Sequence, residues 1–285
     1  MVFLISPLVV IWAWSFLETN VHEILDHLPR NSIVIDLGSG TKSFDYGAYQ
    51  FVTVRVDIDR FVNCQQDNSV QADAAQLPFT KNTIHSIVAN HSLEHFHDLQ
   101  GSLNEIRRVL KSQAALFVSV PDSTTITDRL YRWLAEGGGH VNAFQSCDEL
   151  ITRIESSTGL SNVGARPLYS SLSFLNRRNH KHKPPRRLLL LGGGNENILL
   201  LINYLFRFFD RYLKTRFSQY GWALYFGNLE EKISNTPWPN VCVRCGSGHP
   251  FYKLLSTARP IKKLSLIHIS EPTRPLYISY AVFCL

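Results

Sequence analysis

The sequence predicts an α/β fold: a seven-stranded, mostly parallel sheet with helices on both faces and a final antiparallel hairpin. Three observations predict it. From about Val21 onward, short apolar runs alternate with stretches of helical period, the pattern of crossover units around a parallel sheet. The runs are continuous and β-branched, which suits strands covered on both faces. Of the 285 residues 45% are apolar and 18% charged, enough for a large core and unlike a disordered chain.

Taken in order, VHEILDHLP (Val21 to Pro29) reads as an amphipathic helix, and SIVIDLG (Ser32 to Gly38) as the first strand. TVRVDID (Thr53 to Asp59) is the second, and a weaker third ends near SVQADA (Ser69 to Ala74). HSIVANHS (His85 to Ser92) gives the fourth, LQGSLNEIRRVLK (Leu99 to Lys111) a helix, and AALFVSVPD (Ala114 to Asp122) the fifth strand, stopped by Pro121. CDELITRIESSTG (Cys147 to Gly159) is a helix closed by glycine. A strand within VGARPLYSSLSFLN (Val163 to Asn176) and its partner WALYFGNLE (Trp222 to Glu230) form the closing hairpin. Residues 177–218 read as an insertion in that hairpin: a basic run, RRNHKHKPPRR, then an apolar stretch that follows a Gly192-Gly193-Gly194 break. No internal repeat is visible.

The domain is thus expected over 21–230. Residues 1–20 form an apolar N-terminal segment, whose Val2 to Leu17 run is uncharged but only 16 residues long and interrupted by Pro7. That is short of the ~20 residues needed to span a bilayer, and no cationic n-region precedes it. A buried helix or cap is expected there, with a membrane-facing segment as the alternative. Residues 231–263 are expected as a truncated C-terminal extension. Within 264–285, LSLIHISEPTR and ISYAVFCL resemble the in-frame translation of two successive blocks of a sequencing adapter, so the native chain is expected to end near Lys263 with its true C-terminus missing. Setting Cys284 aside leaves Cys64, Cys147, Cys242 and Cys245, too few for a disulfide scaffold, and a cytoplasmic location is expected. The formal charge of +6 is concentrated, six cations lying between Arg177 and Arg187.

The most informative segment is VIDLGSGTK (Val34 to Lys42), which puts Asp36-x-Gly38-x-Gly40 where a buried strand turns toward a helix. Glycines there permit positive φ and close approach of a ligand. Asp57 ends the second strand about 20 residues later, where a carboxylate accepts from ribose hydroxyls in nucleotide-binding sheets, with Asp59 a competitor. Asp73-Ala74 follows the third strand and precedes Leu77-Pro78-Phe79. There an acidic group can accept from an exocyclic amine while the apolar run packs beside its ring.

Together VIDLGSG, VRVDID, DAAQLPF, IVANHSLEHFHD and NEIRRVLKSQAALFVSVPD resemble the class I S-adenosylmethionine-dependent methyltransferases of the broad type 11 family, closely over Glu23 to Asp122 and loosely to Glu230. The resemblance implies a Rossmann-like fold and S-adenosyl-L-methionine as cofactor. By it, Asp36 serves the methionine amino group, indirectly or through water, Gly38 and Gly40 lie beside the cofactor, and Asp57 binds the ribose. Asp73 and Ala74 meet the adenine edge, and Asn90 or His91 lines the cofactor after strand four. One departure is Lys42, which stands where a third glycine is frequent. A dinucleotide fingerprint starting at Gly38 would need glycine where the chain has Ser43, which disfavours a dehydrogenase.

Methyl transfer from a sulfonium requires in-line approach and, for hydroxyl or amine acceptors, removal of a proton. Glu94 and His95 after strand four, and His140 in GGGHVNAF after strand five, are the candidate bases; capping and loop roles are the alternatives. Cys242-x-x-Cys245 with His249 has zinc-ligand spacing but offers three ligands where a structural site takes four. The basic, amphipathic 177–217 suits peripheral contact with an anionic membrane or a lid over the pocket, and nucleic acid is disfavoured because no aromatic-interleaved face accompanies it. The expected function is methyl transfer to a small or lipid-like acceptor. The alternative is a catalytically inactive methyltransferase-like binding or scaffold protein at a membrane surface.

Overall fold

The β-branched runs become strands β1 (Ile33–Leu37), β2 (Val52–Asp57), β3 (Ser69–Gln71), β4 (Ile84–Asn90), β5 (Leu110–Pro121), β6 (Asn162–Tyr169) and β7 (Gln219–Gly227). This computed structural model describes residues 23–25, 28–40, 43–44, 46, 49–59, 68–134, 139–170, 172–176 and 195–227. All seven strands join one sheet in the order β3-β2-β1-β4-β5-β7-β6. β1 to β5 run parallel, with Asp36 opposite Arg55 on one side and Val88 on the other. β7 is antiparallel to both β5 and β6. The expected sheet, mostly parallel with a final antiparallel hairpin, is therefore present.

Successive residues along each central strand bury against opposite faces, as the pleat requires. Ile35, Ile87, Leu116 and Leu224 enter a core shared with two helices, α1 (Leu99–Val109) and α3 (Cys147–Thr158). Val34, Val88, Phe117 and Tyr225 face the other way, packing with Ile24 and Leu25. A third cluster joins α2 (Ile126–Leu134) to α4 (Glu196–Leu213) through Tyr131, Leu134, Phe174 and Leu199.

Local chemistry sets the helix ends. Asp98 caps α1 by accepting from Gly101 N–H at 2.8 Å, Ser146 caps α3, and Gly159 ends it in the left-handed conformation. Asn195 caps α4. Near its C-terminus, Asp210 within α4 accepts from the Phe217 and Ser218 amides beyond it at 2.7 and 2.8 Å, turning the chain back into β7.

Three expectations about elements are corrected, and one helix is added to them. Within the expected helix 21–29, Glu23–Leu25 is a single 3-10 turn. β5 starts at Leu110 rather than Ala114, because Leu110 pairs with Ile84 directly after α1. β6 stops at Tyr169; Ser173–Leu175 is a 3-10 turn whose Phe174 and Leu175 bury in the third cluster together with the preceding Leu172. α2 was not anticipated, although Thr125, whose hydroxyl accepts from Asp128 N–H, supplies a start signal three residues ahead of an acid. The basic run 177–187, the apolar 1–20, Lys42, Cys64, the zinc candidates Cys242, Cys245 and His249, and the suspected adapter 264–285 lie outside the described residues. Among the described residues no helix is long and apolar enough to cross a membrane.

Candidate active site

Strand order reverses between β2-β1 and β4-β5, and ligands of open α/β sheets bind in the crevice at that switch point, beyond the C-terminal strand ends. The glycine loop leaves β1 on one side of it, and the His91–His95 segment leaves β4 on the other. They touch. A Cβ added to Gly38 would lie 2.4 Å from Ser92 Cβ, and Gly38 has φ of +67°, so neither space nor backbone admits a side chain. Gly40 also has positive φ (+49°), but a Cβ there would meet nothing within 4 Å. The first glycine is needed by the protein's own packing, and the second faces open space.

On the β1–β3 side, Asp36 is fully buried beneath the loop. Its Oδ2 accepts from Ser43 N–H and the Tyr46 hydroxyl, and Oδ1 has no hydrogen-bond partner among the described residues. Burial raises its carboxyl above the ordinary value, partly offset by the Ser43 and Tyr46 hydrogen bonds and by Arg55. Asp57 reaches the rim: Oδ2 accepts from Gly40 N–H at 2.8 Å and Oδ1 from Asp59 N–H at 3.1 Å. Arg55, which the motif reading passed over, is buried and donates to the Gly40 carbonyl at 2.6 Å. Asp73 is exposed at the end of β3 and accepts from Ala75 N–H at 2.9 Å, while Ala74 is buried in the core. The structure thus brings Asp57 against Gly40, keeps Asp36 below them, and sets Asp73 one strand further out.

The Leu77–Phe79 loop beside Asp73 is clasped from α1. Glu105 accepts from Leu77 N–H at 2.8 Å, and Arg108 donates to the Leu77 and Phe79 carbonyls at 2.8 and 2.7 Å. The Arg108 hydrogen bond holds the Glu105 carboxyl below its ordinary range despite some burial.

On the β4–β5 side, Asn90 accepts from the Ser119 hydroxyl, and His91 sits at φ of +51° with its amide held by the Ser119 carbonyl and hydroxyl, each at 3.0 Å. A left-handed non-glycine residue at a strand end is strained, and here neighbours from β5 and β7 hold it; its ring packs against Tyr220 at 5.3 Å. Glu94 is 1% exposed. Burial opposes its charge, but the neighbouring His91, whose Nδ1 lies 3.7 Å from Oε1, and the potential of His95 and His140 outweigh this, and its carboxyl stays below the ordinary range.

His140 arrives from the loop after α2. Val141 and Asn142 amides donate to the Glu94 carbonyl at 2.8 and 2.9 Å, and the Asn142 side chain donates to the Leu93 and Phe96 carbonyls. His95 Nδ1 bonds the Gly139 carbonyl at 3.0 Å, and the His95 and His140 rings are 5.0 Å apart. Burial pushes His140 down to about 4, so its imidazole is neutral at pH 7. Asp128 on α2, paired with Arg132 at 2.8 Å, lies 3.8 Å from His140 Nδ1; burial pushes its carboxyl up to about 6. The three candidate bases therefore meet in one cluster. Asp128, Tyr131 and Asn142, which build its walls, carry no motif.

α4 covers this side through α2 and leaves one row of its own surface open: Ile198, Leu201, Leu205, Phe208 and Tyr212 are all exposed. Of its cations, Arg207 packs over the Tyr169 ring at 3.5 Å, and Arg216 beyond it pairs with Asp122. Arg211 and Lys214 are exposed.

A model of a methyltransferase domain family matches residues 12–163, just over half the chain. An uncharacterised protein of Methanocaldococcus jannaschii is 31% identical over 102 residues, covering 34% of this chain and 44% of that protein, so the match spans less than half of the curated relative. A SAM-dependent methyltransferase of Archaeoglobus fulgidus superposes with a TM-score of 0.48 at 14% identity, covering 72% of this chain and 90% of that one. A geranyl diphosphate C-methyltransferase of Streptomyces coelicolor does so with 0.46 at 14% identity, covering 78% and 81%. The chain belongs to the methyltransferase domain family.

Proposed function

We propose that the protein methylates a small or lipid-like acceptor, with the cofactor on the β1–β3 side of the crevice and the acceptor on the β4–β5 side. The observation that carries this reading is the Gly40 to Asp57 hydrogen bond, which holds a carboxylate beside the open backbone of the second glycine. Each Asp57 oxygen retains a lone pair for a ribose diol. The buried Asp36 Oδ1, without a hydrogen-bond partner among the described residues, fits a polar group or water under the methionine end. Asp73 and the clasped Leu77–Phe79 loop suit the adenine edge and face, with Ala74 behind them, and Asn90 and His91 line the far wall.

S-adenosylmethionine supplies an electrophilic methyl group, so the protein's tasks are alignment and proton removal. Glu94, ionised, and His140, neutral, form with His95 the polar end of the acceptor region, where an acceptor hydroxyl or amine can give up its proton. Calorimetric titration with S-adenosylmethionine tests the cofactor half. Binding that is lost in Asp57→Ala supports it, and no binding by the unaltered chain favours the inactive scaffold alternative.

Peripheral contact with an anionic membrane is a second part of the proposal, favoured by the exposed apolar row of α4 beside Arg211 and Lys214. The pairing of Arg207 and Arg216 within the fold leaves fewer cations for lipid than composition implies. Cosedimentation with anionic phospholipid vesicles that survives Leu201→Asp with Phe208→Asp would refute it. Bound zinc at Cys242, Cys245 and His249 stays a proposal resting on their spacing alone.

A further inference from the structure

We infer that Glu94, His95 and His140 form a binding site for a first-row divalent transition cation such as Zn²⁺ or Co²⁺. One carboxylate oxygen and one nitrogen from each ring all lie within 4.8 Å of one another. Bonds of about 2.0–2.1 Å around a tetrahedral ion put neighbouring ligand atoms roughly 3.3 Å apart.

Three independent features point to an ion rather than to three separate polar side chains. Glu94 is 1% exposed, yet its Oε2 has no hydrogen-bond partner among the described residues, an expensive state for an ionised carboxylate. His95 already commits Nδ1 to the Gly139 carbonyl, which leaves Nε2 as its ligand atom. His140 turns its Nδ1 toward Asp128 Oδ1 at 3.8 Å, again leaving Nε2. A ring whose second nitrogen faces a carbonyl or a carboxylate is the usual setting of a metal-binding histidine, because that contact fixes tautomer and orientation. Two imidazoles and one carboxylate suit a borderline cation better than Mg²⁺ or Ca²⁺, which take oxygen ligands.

The site differs in place and composition from the Cys242-x-x-Cys245 candidate. With three protein ligands it has at least one position open to an oxygen of the acceptor, whose proton then leaves to solvent water, because Glu94 and His140 are held by the ion. That use rests on the methyl-transfer reading above; the binding of the ion does not.

The test is a Co²⁺ titration of the full chain carrying Cys242→Ser and Cys245→Ser, followed by visible absorbance, with Mg²⁺ as a competitor. One Co²⁺ per chain is expected, with weak visible bands, no strong thiolate absorption and no displacement by Mg²⁺. His95→Ala and His140→Ala should each weaken binding more than tenfold and Asp128→Asn about tenfold, whereas the exposed His97→Ala should leave it unchanged. His95 is the most accessible ligand, so its variant keeps the test decisive if Glu94→Gln impairs folding, which melting temperature reports. Absent Co²⁺ binding, or binding that survives His95→Ala and His140→Ala, overturns the site. S-adenosylmethionine calorimetry on the same samples separates the two readings: cofactor binding without Co²⁺ removes the metal site alone, and Co²⁺ binding without cofactor removes the methyl-transfer reading alone.

Discussion

The two sides of the crevice are built by different means. On the β1–β3 side the loop contacts run from backbone amides to carboxylates, over 2 residues for Ala75 to Asp73, 7 for Ser43 to Asp36 and 17 for Gly40 to Asp57. On the β4–β5 side they join segments remote in the chain, such as Asn142 to Leu93, 49 residues apart, and His95 to Gly139, 44 apart. The first side depends on glycine and strand geometry, so it tolerates little at a few positions. The second depends on many modest tertiary contacts and can be retuned without losing the first.

Substitutions should separate the sides. The largest effect is expected for Gly38→Arg, which drives a side chain into Ser92 at a positive φ; cofactor binding should vanish by calorimetry. Even Gly38→Ala should lower unfolding free energy by about 2–4 kcal/mol, from overpacking and backbone strain, measured by denaturant titration. Next comes Asp57→Ala, which removes a charged acceptor and should weaken S-adenosylmethionine binding roughly 10- to 100-fold, at about 1.5–3 kcal/mol. If Asp57→Ala binds as the parent does, the ribose assignment is wrong.

On the other side, Asn142→Ala removes two donors to the Leu93 and Phe96 carbonyls. It should cost about 1–3 kcal/mol of stability while leaving cofactor affinity within a few-fold. Equal loss of cofactor binding in this variant would dissolve the distinction between the sides.

The smallest effect concerns pH. The folded-state pKa of Glu105 is depressed below its ordinary value of 4.5, so its contribution is present above that value and lost as pH falls through the lower, folded one. The melting-temperature difference between the parent protein and Glu105→Gln should therefore shrink below pH 4.5. A difference that does not change with pH would mean that the clasp on Leu77–Phe79 does not depend on charge.

Legibility in the sequence follows the same division. Gly38, Gly40 and Asp57 can be read from spacing, because a strand end followed by a tight turn is a local event that leaves its residue types in order. Arg55 and Glu105 stand within quoted motifs, but their contacts to the Gly40 carbonyl and the Leu77 amide cross to other segments, so their roles do not follow from spacing. α2 had a readable start in Thr125 and Asp128, yet the position of Asp128 beside His140 follows from how the loop after α2 folds back onto Glu94.

By itself the sequence determined the strand succession, the glycine loop and the acid that ends β2, since hydrophobic period and backbone freedom are properties of neighbouring residues. Only the tertiary structure decided that Glu94, His95 and His140 meet, that Asp36 lies under the loop instead of at its rim, and that Arg207 and Arg216 are committed within the fold. Those outcomes depend on packing and desolvation between segments far apart in the chain, which no local pattern encodes.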